Sequence, residues 1–475
     1  MAEPDTRTEP PAHGREPVSD ASEPAADRKQ PDILKRLRSP ESWVAPAGVL
    51  VAILALVLAG VGAIAFVDWT HIPRDILAYW SGGTNVIEGN SLYGDGPNTI
   101  AGRPYLYPPA FAAFFSFFVR LGPRFGTAVW GATHLLFAAL LFRELYGWAR
   151  TKVDRPGTGI WLALLLLVVL FQAFWTEQWE GQVNTLVALL VFGGLLRVTR
   201  GREITGAVML ALAIHVKVLP AVLVLLLLLQ KRNRAALATL GFCLLFTLAP
   251  ALVSMPKLGV FGSVAYAFHC HIDWLTDVMW PALTKGSVAG TQYYAAPNLS
   301  LRAVGYRWFV DDMDTGAPLL FGLPFGLVRA VSLIASVGLA GVSLWMARRT
   351  KDSTTATIVW ATTALFALQI GNLLYWDHHL MLMALPVAAL FVLALREGGS
   401  WKQLVPVVPL ALLTSGARFV QLTAEVLEIP RDSDLVRDSQ MWGFPLMAAL
   451  LLVLSAGKYL LPARKTEPET ADATD

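Results

Sequence analysis

Charge is what this chain has least of. Asp, Glu, Lys and Arg make up 15% of its 475 residues and apolar types 55%, whereas an ordinary soluble domain is about one quarter charged and about half apolar. That shortage points away from a soluble globular protein and towards a membrane protein. A basic block is missing too. The net charge of +3 comes from Lys and Arg scattered through short loops, a pattern that orients a chain in a membrane and excludes a nucleic-acid partner. Cysteine is nearly absent, at two. Cys243 in an apolar run and Cys270, read as a loop residue, cannot build a disulfide framework. Finally, no apolar core of a signal peptide lies near the first residue. Residues 1–43 are rich in Pro, Ala, Glu and Asp and read as a disordered cytoplasmic tail. The first apolar run opens only at Val44, behind Lys35, Arg36 and Arg38.

What the chain does have is long hydrophobic runs. Those at 44–67, 158–174, 218–229 and 441–461 are nearly free of charge, and several approach the roughly 20 residues with which a helix crosses about 30 Å of hydrocarbon. Basic clusters mark the cytoplasmic loops: Arg150, Lys152 and Arg155; Arg197, Arg200 and Arg202; Lys231, Arg232 and Arg234; Arg348, Arg349 and Lys351; Arg396 and Lys402; Arg464 and Lys465. The expected architecture is all-α and polytopic, with about 12 membrane helices at 44–67, 125–147, 158–174, 182–197, a pair of short ones in 203–230 broken at Pro220, then 235–254, 325–347, 355–371, 378–395, 402–421 and 441–461. Residues 105–121 lie in or partly enter the outer face. Both termini are cytoplasmic, the membrane domain covers 44–461, and 462–475 form a second tail. Long outer loops are expected at 68–105, 255–323 and 422–440, with short ones at 175–181 and 372–377.

Nearly every out-of-place polar residue falls on that outer side. Asp75 follows the first span, with Tyr79 one helical turn on; it suits a catalytic carboxylate and equally a helix N-terminal acid after Pro73. FWTEQWEGQVN carries Glu177 and Glu180 on one helical face, then Gln182 and Asn184. Carboxylates and amides with flanking Trp suit sugar hydroxyls and sugar faces, although polar residues between two spans need no function. His215 and Lys217 interrupt an apolar run at membrane depth, where a cation faces a cavity or an anion more often than lipid; a snorkelling lysine is the plainer reading. HCHIDW (His269, Cys270, His271, Asp273) lacks the second ligand pair of a metal site, so no metal is expected there. Asp311, Asp312 and Asp314 read as an exposed acidic turn. Asn298 stands in PNLS as a cap or a ligand, and His378 and His379 follow Tyr375, Trp376 and Asp377 at the mouth of a late span.

Taken in order, DILAYWSGGTNVIEGNSLY with PYLYPPAFA (containing Tyr107), EGQVNTL, KVLPAVLVLLLLLQKR, PNLSLRAVGYR and WDHHLMLMALP resemble the bacterial polytopic transferases of glycosyltransferase family 87, within the GT-C superfamily. The resemblance covers about 44–460. It implies a GT-C-type membrane enzyme that moves mannose, with inversion to an α-mannoside, from a polyprenyl-phosphate donor to a glycolipid or cell-envelope glycan. The reaction would lie on the extracytoplasmic face of the inner (plasma) membrane, as in phosphatidylinositol-mannoside elongation. Some relatives transfer arabinofuranose instead. It also implies that Asp75 is catalytic and that His378 or His379 is the functional histidine of the late span. Tyr79, Tyr107, Glu177, Glu180, Gln182, Asn184, Lys217 and Asn298 would then bind donor or acceptor, with Arg103 or Arg302 as further phosphate partners. No cofactor is implied, and with no sugar nucleotide no glycine-rich phosphate loop is needed. The N-terminal tail and the HCH and DDMD stretches have no counterpart in the family pattern. A secondary transporter would also place charges in broken helices near the midplane, but it predicts internal repeats and short outer loops, and neither is found in the sequence.

Overall fold

The computed structural model describes residues 74–93, 104–153, 155, 157–284, 298–310, 320–351, 353–372, 375–396, 399–426 and 442–458. The two tails, the first span at 44–67, Arg103, the Asp311, Asp312 and Asp314 turn and most of 422–440 lie outside the described residues. Those described are helical and contain no strand. Six of their helices are long and apolar enough to cross a membrane, and five more are apolar but shorter.

The order begins with α1 (Arg74–Glu88), α2 (Pro109–Arg120), α3 (Pro123–Arg150), α4 (Thr158–Glu180), α5 (Asn184–Thr199) and α6 (Glu203–Val216). Pro220 has no N–H to donate and its ring crowds the carbonyl four residues earlier, so α6 stops at Val216 and Lys217 is extended at φ −144°, ψ 131°. A 3₁₀ turn, Leu219–Ala221, leads into α7 (Val222–Leu229). At about 1.5 Å per residue the 14 residues of α6 reach about 21 Å, short of a full crossing. The pair of short helices expected around Pro220 is therefore present, and the lysine sits at its break.

After α8 (Asn233–Phe246) comes α9 (Ala249–Asp273), which runs on through a π-helical turn, Trp274–Met279, to Thr284. This corrects the expectation of a long loop from 255: the helix survives Pro256 and kinks at Gly259, φ 70°. Lys257 pairs with Glu88 at 3.1 Å and the Tyr266 hydroxyl donates to the Asn90 carbonyl at 2.7 Å, so α9 braces the C-terminal end of α1. Cys270 is consequently a buried helical residue, not a loop one. Among the described residues no three His, Cys, Asp or Glu stand close enough to share an ion.

The remaining elements are α10 (Leu301–Phe309), α11 (Phe325–Arg349), α12 (Thr354–Gly371), a 3₁₀ segment Asp377–Met383 opening α13 (Ala384–Leu395), α14 (Val407–Ala411), α15 (Ala417–Val426) and α16 (Phe444–Lys458). The uniform span expected at 402–421 is instead broken, with a 3₁₀ turn at Trp401–Leu404 and a π turn at Leu412–Gly416, because Pro406 and Pro409 interrupt its ladder. An 18-residue apolar stretch of Asp377–Leu395 is 94% buried, against 22% of such a stretch in Asn233–Ala282; the first is the centre of the bundle and the second faces outwards.

Chain continuity sorts the two ends. The C-terminal end of α4, the N-terminal end of α5, the C-terminal end of α6 and the start of the Asp377 segment converge, while the opposite ends of these elements carry Arg155, Arg197 with Arg200 and Arg202, and Arg396. The polar cluster described next therefore lies at the end away from the basic loops.

Candidate active site

Gly181 ends α4 in the left-handed region, φ 72°, and the Gln182 N–H closes the turn on the Glu177 carbonyl at 2.9 Å. A Cβ at Gly181 would collide with Ile76 of α1, so glycine lets the turn press against the helix that carries Asp75. From α3, the Trp130 indole donates to the Gly181 carbonyl at 3.0 Å and His134 Nε2 contacts the Gln182 carbonyl. The backbone of the turn is thus fixed from two sides.

Its side chain completes a directed chain of hydrogen bonds. The Tyr79 hydroxyl donates to the Tyr107 hydroxyl at 2.9 Å, Tyr107 donates to Gln182 Oε1 at 3.0 Å, and Gln182 Nε2 donates to Asp75 Oδ2. Each donor meets an acceptor, which sets the orientation of the Gln182 amide and lets the links polarise one another. Burial, then the nearby Asp75 charge, pushes the Tyr107 hydroxyl above its ordinary pKa; burial, Tyr107 and Asp75 do the same at Tyr79. Both phenols stay protonated donors.

Glu177 is fully buried, with Oε1 accepting from the Thr185 N–H at 2.7 Å and Oε2 from the Thr185 hydroxyl at 2.9 Å. A carboxylate in that place satisfies the first turn of α5 and its dipole, so Glu177 anchors the helix that starts at Asn184. Glu180 is half-buried at the last residue of α4.

Lys217 reaches across to this helix start. Its Nζ donates to Asn184 Oδ1 at 2.6 Å and lies 3.1 Å from His379 Nε2 and 5.9 Å from the centroid of the Tyr107 ring. The Glu177 and Asp75 charges both act on it. Lys217 therefore joins the carboxylate side of the cluster to the histidine side. His379 Nδ1 contacts the Trp376 N–H at 2.9 Å, and the Tyr375 ring stacks on His379 at 5.3 Å.

Asn298, fully buried, accepts on Oδ1 from the Ser300 and Tyr375 N–H groups, each at 3.1 Å. It ties the PNLS segment to the residue that stacks on His379. Ser300 caps α10 through Ala303 N–H, and Arg307 donates to the Asn298 carbonyl at 3.0 Å, burial lowering its pKa to about 10. Arg302 Nε donates to the Tyr306 hydroxyl at 2.8 Å, and its guanidinium lies over the Tyr306 and Phe325 rings.

Asp377 and His378 are buried rather than displayed at an outer surface, at 5% and 3% exposure. The carboxylate takes Gln172 Nε2 at 2.7 Å, the Thr176 hydroxyl at 2.9 Å and the His378 N–H at 2.8 Å, which docks the Asp377 segment on α4. Trp130 and His134, which the sequence reading did not single out, thus help to shape the site. The available signal was a His four residues after a Trp in an apolar helix.

Beyond Lys217 the lining turns apolar. A cavity of about 400 Å³ is lined by Phe111, Phe114, Leu186, Leu190, Val216 and Val253, among others, and His215 is the one titratable residue among the described ones that line it. It abuts the polar cluster, since Val216 precedes Lys217 and the Phe111 ring packs 5.4 Å from that of Tyr107.

A sequence profile described as glycosyltransferase family 87 matches residues 105–370, more than half of the chain. The chain belongs to that family. It is a multi-pass membrane glycosyltransferase. Among similar curated proteins, one from Mycolicibacterium smegmatis is 26% identical over 383 residues, 75% of this chain and 79% of that protein. One from Mycobacterium tuberculosis is 27% identical over 365 residues, 72% of this chain and 77% of its own length. Both carry the name polyprenol-phosphate-mannose-dependent alpha-(1-2)-phosphatidylinositol mannoside mannosyltransferase. No solved structure matches. Asp75, His378 and His379 lie outside the residues that this profile matches.

Proposed function

We propose that this glycosyltransferase moves mannose from a polyprenyl-phosphate donor to a hydroxyl of an anionic glycolipid of the phosphatidylinositol-mannoside class. The reaction would take place on the extracytoplasmic face of the inner membrane, in a GT-C-type bundle of about twelve membrane helices. Asp75 takes the proton of the attacking hydroxyl; the bond from the anomeric carbon to the phosphate oxygen breaks and its electron pair leaves with the phosphate, whose charge Lys217 receives. Attack opposite a β-linked phosphate inverts the centre and gives an α-mannoside. General base catalysis at Asp75 and a preorganised cation for the leaving group are what such a step needs.

The observation that carries this reading is a single polar network that runs from Asp75 through Gln182 and Tyr107 to the neighbourhood of Lys217 and borders an apolar cavity suited to an isoprenoid chain. The names of the two relatives favour mannose over arabinofuranose. Membranes containing the chain, incubated in parallel with radiolabelled polyprenyl-phosphate mannose and the arabinofuranose equivalent, should move only the mannose label into lipid. Transfer of arabinofuranose alone would exchange the sugar, and transfer of neither would remove the donor class.

A further inference from the structure

The two adjacent histidines are used differently by the protein itself. At His379, Nε2 meets Lys217 at 3.1 Å, Nδ1 lies 2.9 Å from the Trp376 nitrogen and 3.2 Å from its carbonyl, and the ring face is stacked by Tyr375. An ammonium donating to Nε2 leaves the ring proton on Nδ1 for the Trp376 carbonyl, and the 2.9 Å approach of the Trp376 N–H to Nδ1 is then a close contact between two donors rather than a hydrogen bond. Both ring nitrogens of His379 thus have a partner within the fold, Lys217 at Nε2 and Trp376 at Nδ1.

His378 is the opposite case. It is only 3% exposed, and neither ring nitrogen has a hydrogen-bond partner among the described residues. Its Nδ1 lies 3.9 Å from Asp377 Oδ1, beyond hydrogen-bond reach. Its ring centroid is 4.6 Å from that of His379, and Lys217 is within electrostatic reach of both rings. Leaving two buried nitrogens unpaired is unfavourable unless something else pairs them.

A second orphan belongs to the same cluster. Lys217 donates to Asn184 Oδ1, which fixes the amide with its oxygen towards the lysine; Asn184 Nδ2, a donor, is buried and has no partner among the described residues. Lys217 itself has three N–H bonds, two of them directed at Asn184 and His379. The cluster thus offers the third lysine N–H, the Asn184 amino group and one imidazole N–H, all donors, with a single imidazole lone pair beside them. That set suits an oxyanion carrying a neighbouring hydroxyl.

Resting on the donor reading above, we propose that His378 touches the sugar–phosphate linkage of the donor, together with Asn184 Nδ2 and Lys217, while His379 is a positioning residue that aims Lys217. The His378 N–H donates to the phosphate oxygen as that oxygen's bond to the anomeric carbon breaks, and the other ring nitrogen accepts from a sugar hydroxyl. The proton of the acceptor goes to Asp75, so no proton is asked of either histidine.

The test uses the full-length chain in lipid nanodiscs, with turnover of polyprenyl-phosphate mannose and thermal unfolding measured on the same samples. His378→Phe fills the slot with an apolar ring, so it should keep or raise the unfolding temperature while kcat falls about 10²-fold, as when one preorganised oxyanion donor is removed. His379→Ala should raise the donor KM as Lys217→Ala does, and the double variant should be no worse than Lys217→Ala alone, because one acts through the other. His379→Gln, whose Oε1 replaces the Nε2 lone pair, should recover much of the loss. A lowered unfolding temperature in His378→Phe, or a kcat within about twofold of wild type, overturns the role of His378; additivity of His379→Ala with Lys217→Ala overturns that of His379. Wild-type turnover reports separately on the donor, and the stability of His378→Phe tests His378 whichever donor is used.

Discussion

The side chain of Gln182 donates to the carboxylate of Asp75, 107 residues upstream. The acid is therefore held by a side chain from the α4–α5 turn, and that side chain is held in turn by Tyr107. The general-base role proposed for Asp75 would use a carboxylate already oriented by a donor from another helix, with no reorganisation at the moment of proton transfer.

Asp75→Asn keeps the size of the side chain and removes its basicity. Turnover should fall by about 10²–10⁴-fold, the usual contribution of general base catalysis, with the donor KM nearly unchanged and the fold intact. A helix-capping role would survive the substitution with a stability change of about 1 kcal/mol or less. An Asp75→Asn variant that folds and retains more than about a tenth of wild-type turnover would move the base to Glu180.

Much of this arrangement was legible in the sequence, for physical reasons that can be named. Pro220 announces the break that places Lys217, and basic clusters sort the helix ends, because both effects are local. The role of Glu177 was not legible: spacing put it on one face with Glu180, but the Thr185 hydroxyl and N–H that take up its oxygens are supplied by the return of the chain after Gly181. The same holds for Asn298, which acts on the backbone of Tyr375, 77 residues away. The loop expected from 255 failed because Pro256, Lys257 and Gly259 look like a terminator in one dimension, whereas packing against α1 and α2 carries the helix through them.

Gly181→Ala should lower both stability and activity. The left-handed backbone at φ 72° disfavours any Cβ by about 1–2 kcal/mol, and the new methyl also meets Ile76. The two effects separate in a double variant: Ile76→Ala relieves the contact and not the backbone strain. Gly181→Ala with Ile76→Ala should therefore regain part of the turnover lost by Gly181→Ala, while its unfolding temperature stays below wild type. Full recovery would show that the contact with Ile76 alone matters, and wild-type behaviour of Gly181→Ala would show that the turn does not position Asp75.

Orientation is testable without reference to the chemistry. Ser91 is exposed just past α1 on the side of the cluster, and Lys152 is exposed among the basic residues that follow α3. In a background lacking Cys243 and Cys270, Ser91→Cys should react with an impermeant thiol reagent in intact cells, and Lys152→Cys should react only after lysis. The reverse pattern would put Asp75 in the cytoplasm and leave the proposed lipid-linked donor on the wrong side of the membrane.

The apolar cavity gives a prediction that separates the lipid from the sugar. If the isoprenoid of the donor runs from the Lys217 phosphate site past Val216 and Phe111, then filling that space should act on the chain and not on the headgroup. Ala113 is buried on α2 and lines the cavity of about 400 Å³. Ala113→Phe adds an aromatic ring to space that exists, so overpacking strain should be small compared with the about 1–3 kcal/mol of insertion into a full core. The KM for a long-chain polyprenyl-phosphate donor should rise by about tenfold or more, since each buried CH₂ displaced from apolar contact is worth about 0.8 kcal/mol. A donor truncated to one or two isoprene units should be affected far less, because its chain ends before the obstruction. Equal effects on both donors would place the ring in the path of the sugar or phosphate, and no effect on either would assign the cavity to membrane lipid.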